Sequence, residues 1–191
     1  MPVTMWAEVR WALAGCLRFA RGDRTGLDCF DRSLDGFWRS FLSGVLSYPF
    51  FLILLTMRVS VAEWNAAGGL AIIVIETIGY IISWVAFPLV MVSVLRWIGR
   101  NHRFFDFMVP YNWCQLPQSV LFVLVGLESE TGAFPDPLSQ TIEIAAALAV
   151  LVYEWYIARV ALEINGSVAT LVVLVDLVLG VLITRAAGSL Y

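Results

Sequence analysis

The chain has 191 residues, 60% hydrophobic and 14% charged, with a formal net charge of −3 and a mean hydropathy of +0.82. Soluble domains carry about 45–50% apolar and about 25% charged residues, so this composition excludes an ordinary soluble domain, and no nucleic-acid partner is expected. The apolar excess gathers in long runs, which predicts an all-α integral membrane protein: a five-transmembrane-helix bundle preceded by amphipathic N-terminal helices.

Residues 1–40 form the expected cytoplasmic or interfacial segment. They do not read as a signal peptide, because Glu8 and Arg10 interrupt any apolar core. Trp6, Val9, Leu13, Cys16, Leu17 and Ala20 share one helical face, with Arg10, Arg18 and Arg21 beside it. That face suits a helix lying in the membrane interface with its arginines reaching lipid phosphates; packing on the protein's own loops is the alternative. "RGDRTGLDCF" breaks the helix at Gly22 and Gly26. A second helix is then expected to present Leu27, Phe30, Leu34, Phe37, Trp38 and Phe41 on one side and to bend into the first span. On its other side, Asp28–Arg32 and Asp35–Arg39 are i,i+4 ion pairs.

The spans of the membrane domain, residues 41–191, are predicted at about 41–57, 70–95, 110–127, 142–162 and 168–183. At 1.5 Å per residue, an 18-residue run reaches roughly 27 Å, about the thickness of a thin hydrocarbon core. With the N-terminus inside, Arg10, Arg18, Arg21, Arg24, Arg32, Arg39, Arg96, Arg100, Arg103 and Arg159 fall on the cytoplasmic side, and only Arg58 and Arg185 fall outside. This arrangement predicts a bacterial inner-membrane protein with its C-terminus in the periplasm. Arg10, Arg18, Arg21, Arg96, Arg100 and Arg103 are the expected contacts to anionic headgroups. "EINGS", residues 163–167, is a tight turn between the last two spans, with Asn-Gly as its turn pair.

The third span opens on "VPYNWCQLPQSV". Pro110 suits the first helical position, and Pro117 predicts a kink. Asn112, Gln115 and Ser119 fall along one face, with Gln118 at its edge, and a face of amides points into a bundle rather than at lipid. Glu154 on the fourth span and Asp176 on the fifth are intramembrane carboxylates, which face the interior by default. Both cannot be ionised there without compensation from a cation or from Arg159. Asn112, Gln115, Gln118, Glu154 and Asp176 therefore form the candidate ion site, or else a hydrogen-bond network that only holds helices together.

Cys16, Cys29 and Cys114 are scattered and suggest neither a disulfide framework nor a metal site. No motif for nucleophilic catalysis, metal binding or phosphate cradling is present, so no cofactor is expected, and Glu154 and Asp176 are the one pair an intramembrane enzyme could use.

The arginine-rich "RFARGDR" and "FDRSLDGFWRSF", the "RFFDFMVPYNWCQLP" opening of the third span, and the close spacing of spans four and five together resemble the Yip-type family of small five-span membrane proteins. The resemblance covers most of the chain. It implies a membrane-organising or adaptor role, with a protein partner engaged through the N-terminal segment. The alternative is a proton- or cation-coupled transporter component using Glu154 and Asp176. A water-connected cavity reaching either carboxylate favours transport, and a dry sealed network favours structure.

Overall fold

The computed structural model describes residues 5–191; residues 1–4 of the expected first amphipathic helix lie outside them. The described residues form eight α-helices and no strand: α1 Met5–Ala20, α2 Leu34–Ser40, α3 Leu42–Arg58, α4 Val61–Ala67, α5 Gly69–Trp97, α6 Phe104–Thr131, α7 Asp136–Leu162 and α8 Gly166–Gly188. Four stretches are long and apolar enough to cross a membrane: Leu34–Arg58, α5, α7 and α8. The remaining long helix, α6, is diluted by two prolines, two glutamines and an asparagine.

Local chemistry sets several boundaries. The Ser33 hydroxyl accepts the Gly36 N–H at 3.0 Å and starts α2. Ser60 and Glu63 form a reciprocal capping box at α4. Between α7 and α8 the left-handed residue is Glu163, with φ 51°, and Asn165 caps α8 by accepting the Val168 N–H at 2.9 Å. The predicted turn is therefore present, but Asn165 acts as a helix cap and Gly166 already belongs to α8.

The long helices alternate in direction and form a ring. α3 packs on α6, α6 on α7, α7 on α8, and α8 on α5. Between α5 and α3 the ring is closed by aromatic side chains, with Phe51 and Tyr80 4.6 Å apart between ring centroids. The Tyr80 hydroxyl also donates to the Gly44 carbonyl at 2.7 Å. We call the end carrying α1 and α2 the base, and the opposite end the mouth. At the mouth, Arg58 pairs with Glu76 at 2.6 Å, and the Tyr191 hydroxyl donates to the same carboxylate at 2.7 Å.

The base holds the main core, in which Phe19, Met91, Leu95, Phe107, Met108, Trp113, Ile157 and Leu162 are all buried. α6 runs through it, and α1, α2, α3, α5 and α7 all pack on α6. This enclosure explains how a polar, proline-containing helix persists in an apolar bundle: other helices surround its first half. It also places the start of α6 at Phe104 rather than Pro110, because α1 and α2 bury residues that hydropathy alone assigns to a loop. Pro110 is thus inside the helix, and α6 continues helical through both Pro110 and Pro117.

The N-terminal segment departs from expectation in its second part. A 3-10 helix, Arg24–Cys29, and the Ser33 cap leave only Leu34–Ser40 as α-helix, so Asp28 and Arg32 never share a helical face. Arg32 instead reaches Asp106 of α6 at 3.2 Å, and Arg39 pairs with Glu8 of α1 at 2.7 Å and with Asp31. The arginines expected in i,i+4 pairs instead tie this segment to α1 and α6. The apolar face of α1 is divided as well. Val9, Ala12, Cys16 and Phe19 are buried against the protein, while Trp6, Leu13 and Leu17 remain exposed.

Candidate functional site: a cavity inside the ring

The five ring helices border an open cavity of about 810 Å³. Helical periodicity selects its lining, because residues three or four apart share a face. α3 contributes Ser47, Phe51 and Leu54; α5 contributes Tyr80, Trp84, Phe87 and Pro88; α6 contributes Tyr111, Gln115, Gln118 and Phe122, with Asn112 and Ser119 alongside. α7 adds Ala147, Val150, Leu151 and Glu154, and α8 adds Asp176, Gly180, Ile183 and Thr184. All five residues of the predicted polar site, Asn112, Gln115, Gln118, Glu154 and Asp176, border this one space.

Its floor is aromatic. The ring of Tyr111 lies 4.5 Å from that of Phe87 and 5.5 Å from that of Phe107. The Tyr111 hydroxyl donates to Asp176 Oδ2 at 2.7 Å and so holds one carboxylate in place. Glu154 lies buried on the neighbouring helix, 7% exposed, with Gln115 and Gln118 beside its carboxyl group. Asn112 is turned differently: its Nδ2 donates to Ser40 Oγ at 2.8 Å, and Ser40 donates to the Phe37 carbonyl at 2.6 Å. This amide anchors α2 as well as lining the cavity. Ser47 Oγ and Gln118 Nε2 are buried without a protein partner.

Arg159 does not enter this space. Its guanidinium lies over the Trp155 ring, 5.2 Å from the centroid, because α7 carries it about one and a half turns past Glu154, towards the base and onto another face. The basic residue on the lining is Arg185, exposed near the mouth. Of the arginines expected at lipid headgroups, Arg10, Arg21 and Arg96 are exposed, and Arg18 is partly buried. Arg100 and Arg103 are engaged within the protein. Arg100 donates to the Glu163 carbonyl at 3.2 Å, and Arg103 pairs with Asp106 at 3.1 Å and with the Glu163 carboxylate.

The sequence reading missed the aromatic half of the site. Tyr80, Trp84 and Phe87 sit in an almost uniformly apolar helix, where nothing distinguishes a lipid-facing ring from a cavity wall. It also missed a cysteine pair. Cys16 and Cys114 are far apart in sequence, yet α1 crosses α6 so that their buried sulfurs lie 3.1 Å apart. Both thiols are free, and the Tyr153 hydroxyl lies 3.0 Å from the Cys114 sulfur.

Among the described residues no group of three or more His, Cys, Asp or Glu side chains is placed to hold a metal ion. The lining supplies two carboxylates, three amides and several hydroxyls. Such a set can exchange protons or pair with a cation. No protein-family model, no curated protein and no solved structure matches this chain.

Proposed function

We propose that the chain is a five-span inner-membrane protein, with its base in the cytoplasm, whose cavity binds and releases a proton or cation at Glu154 and Asp176. The observation that carries this reading is the cavity itself, because a network serving only to hold helices together needs no space of about 810 Å³ beside its carboxylates. Ten arginines at the base against Arg58 and Arg185 at the mouth support the orientation. The enclosure of α6 supports counting it as the fifth span. Proteoliposomes carrying the purified protein test the reading: an imposed pH or cation gradient drives flux through wild-type protein and not through Glu154→Gln or Asp176→Asn. Wild-type stability in both variants together with no pH or cation effect in any of the three sinks it.

The surface of α1 favours a second role, in keeping with the Yip-type layout. Trp6 is 69% and Leu17 51% exposed on the side facing away from α6, with Arg10 and Arg21 exposed beside them. This is the composition of a helix resting among anionic headgroups, from which a membrane-organising contact would be made. A spin label at Leu17 that is reached by oxygen dissolved in the bilayer, and not by a water-soluble relaxation agent, supports it; the reverse preference counts against it.

A further inference from the structure

We infer that the ligand of the cavity is an organic ammonium ion, a primary or secondary amine carrying an aromatic or bulky apolar group. This rests on the carrier reading and specifies its cargo. The two walls differ in chemistry. Glu154, Asp176 and the amides of Gln115 and Gln118 lie on α6, α7 and α8, whereas Phe51, Tyr80, Trp84 and Phe87 lie on α3 and α5. A proton needs neither the volume nor the rings. A bare inorganic cation needs oxygen ligands on every side, and the aromatic wall supplies few. An ammonium group on an apolar body uses both walls: its N–H groups reach the carboxylates, and the cation and its substituent rest against aromatic faces.

One further atom points the same way. Ser47 Oγ is buried, borders the cavity, and has no protein partner. Buried polar atoms are rarely left unpaired in native proteins, and an ammonium N–H donated to this hydroxyl oxygen would satisfy it. Arg185 does not cancel the site's charge, since it lies about 14 Å beyond Asp176 along the axis of α8 and is exposed.

The test uses full-length protein in detergent micelles at neutral pH and three probes: 2-phenylethylamine, the uncharged 2-phenylethanol, and ammonium chloride. The amine is expected to bind at least about tenfold more tightly than either control, a margin of about 1.4 kcal/mol. Trp84→Leu should weaken the amine about tenfold and leave ammonium unchanged, while Trp84→Phe should restore amine binding. Should Trp84→Leu fail to fold, Phe51→Leu on the same aromatic wall serves the same purpose. The pair Glu154→Gln and Asp176→Asn should lose the amine altogether. Equal binding of phenylethanol reduces the site to an apolar pocket and overturns the inference, and equal binding of ammonium does so by removing the role of the rings. Gradient-driven flux in proteoliposomes without amine binding overturns the inference and leaves the carrier reading standing. Absence of both overturns the two together.

Discussion

Gly180 offers a way to separate the cavity from the stability of the fold. It lies on α8 one turn beyond Asp176, borders the cavity, and a Cβ built on it meets nothing within 4 Å. Gly180→Leu therefore adds a side chain into open space. Glycine in a helix interior costs about 0.8–1.0 kcal/mol relative to alanine, and leucine ranks close to alanine. The substitution should stabilise the protein by about 0.5–1 kcal/mol, which for a chain of this size raises Tm by roughly 1–4 °C. Gly79 is the control. A Cβ there lies 3.4 Å from the Ala187 Cβ and 3.8 Å from Ile183 Cγ2, so Gly79→Leu forces α5 and α8 apart, an overpacking cost of about 1–3 kcal/mol. Thermal unfolding in detergent measures both, and gradient-driven flux in proteoliposomes measures function. Gly180→Leu should be the more stable and less active of the pair. If it destabilises as much as Gly79→Leu, the space is filled in the native protein and the reasoning fails.

The contact between α1 and α6 predicts that a mild oxidant joins Cys16 to Cys114 within one chain, abolishing alkylation of both thiols while Cys29 continues to react; persistent alkylation of all three would remove α1 from this position. The docking of α2 predicts acid sensitivity. Hydrogen bonding from Ser33, followed by the Arg39 guanidinium, holds the Asp31 carboxyl below its ordinary value of 3.8. A depressed carboxylate pKa contributes stability that is present above the unfolded value and lost as pH falls through the folded one. A spin label at the exposed Leu34 of α2 should therefore stay immobile above pH 3.8 and gain mobility below it, and the shift should vanish in Asp31→Asn.

The helical class and the polar face of α6 were legible because both are periodic: long apolar runs announce helices, and a spacing of three or four residues places Gln115 with Gln118 whatever surrounds them. Glu154 and Asp176 were legible because carboxylates in apolar helices turn inward. What escaped depended on contacts between elements. The true start of α6 was hidden because Arg103 and Asp106 look like loop residues until Arg32 and Glu163 are placed against them. Arg159 was an attractive partner for Glu154 by sequence proximity, yet about one and a half turns of helix carry it to another face and onto Trp155. The i,i+4 pairs of the second amphipathic helix gave way to a Ser33 cap and to acids from α1 and α6. The meeting of Cys16 with Cys114 leaves no local trace at all.

The central claim, that water reaches the carboxylates and amides bordering the cavity between the ring helices, is tested most directly by thiol accessibility. With the three native cysteines replaced by serine, Ser119→Cys places a thiol on the cavity wall, and Val178→Cys places one on the exposed outer surface of α8. Protein in proteoliposomes is then treated with a charged methanethiosulfonate reagent, which modifies thiols in contact with water. The account predicts that Ser119→Cys reacts, that Val178→Cys, lying against lipid, does not, and that 2-phenylethylamine slows the reaction at position 119. An unreactive thiol at position 119 would mean a dry, sealed bundle and would contradict it.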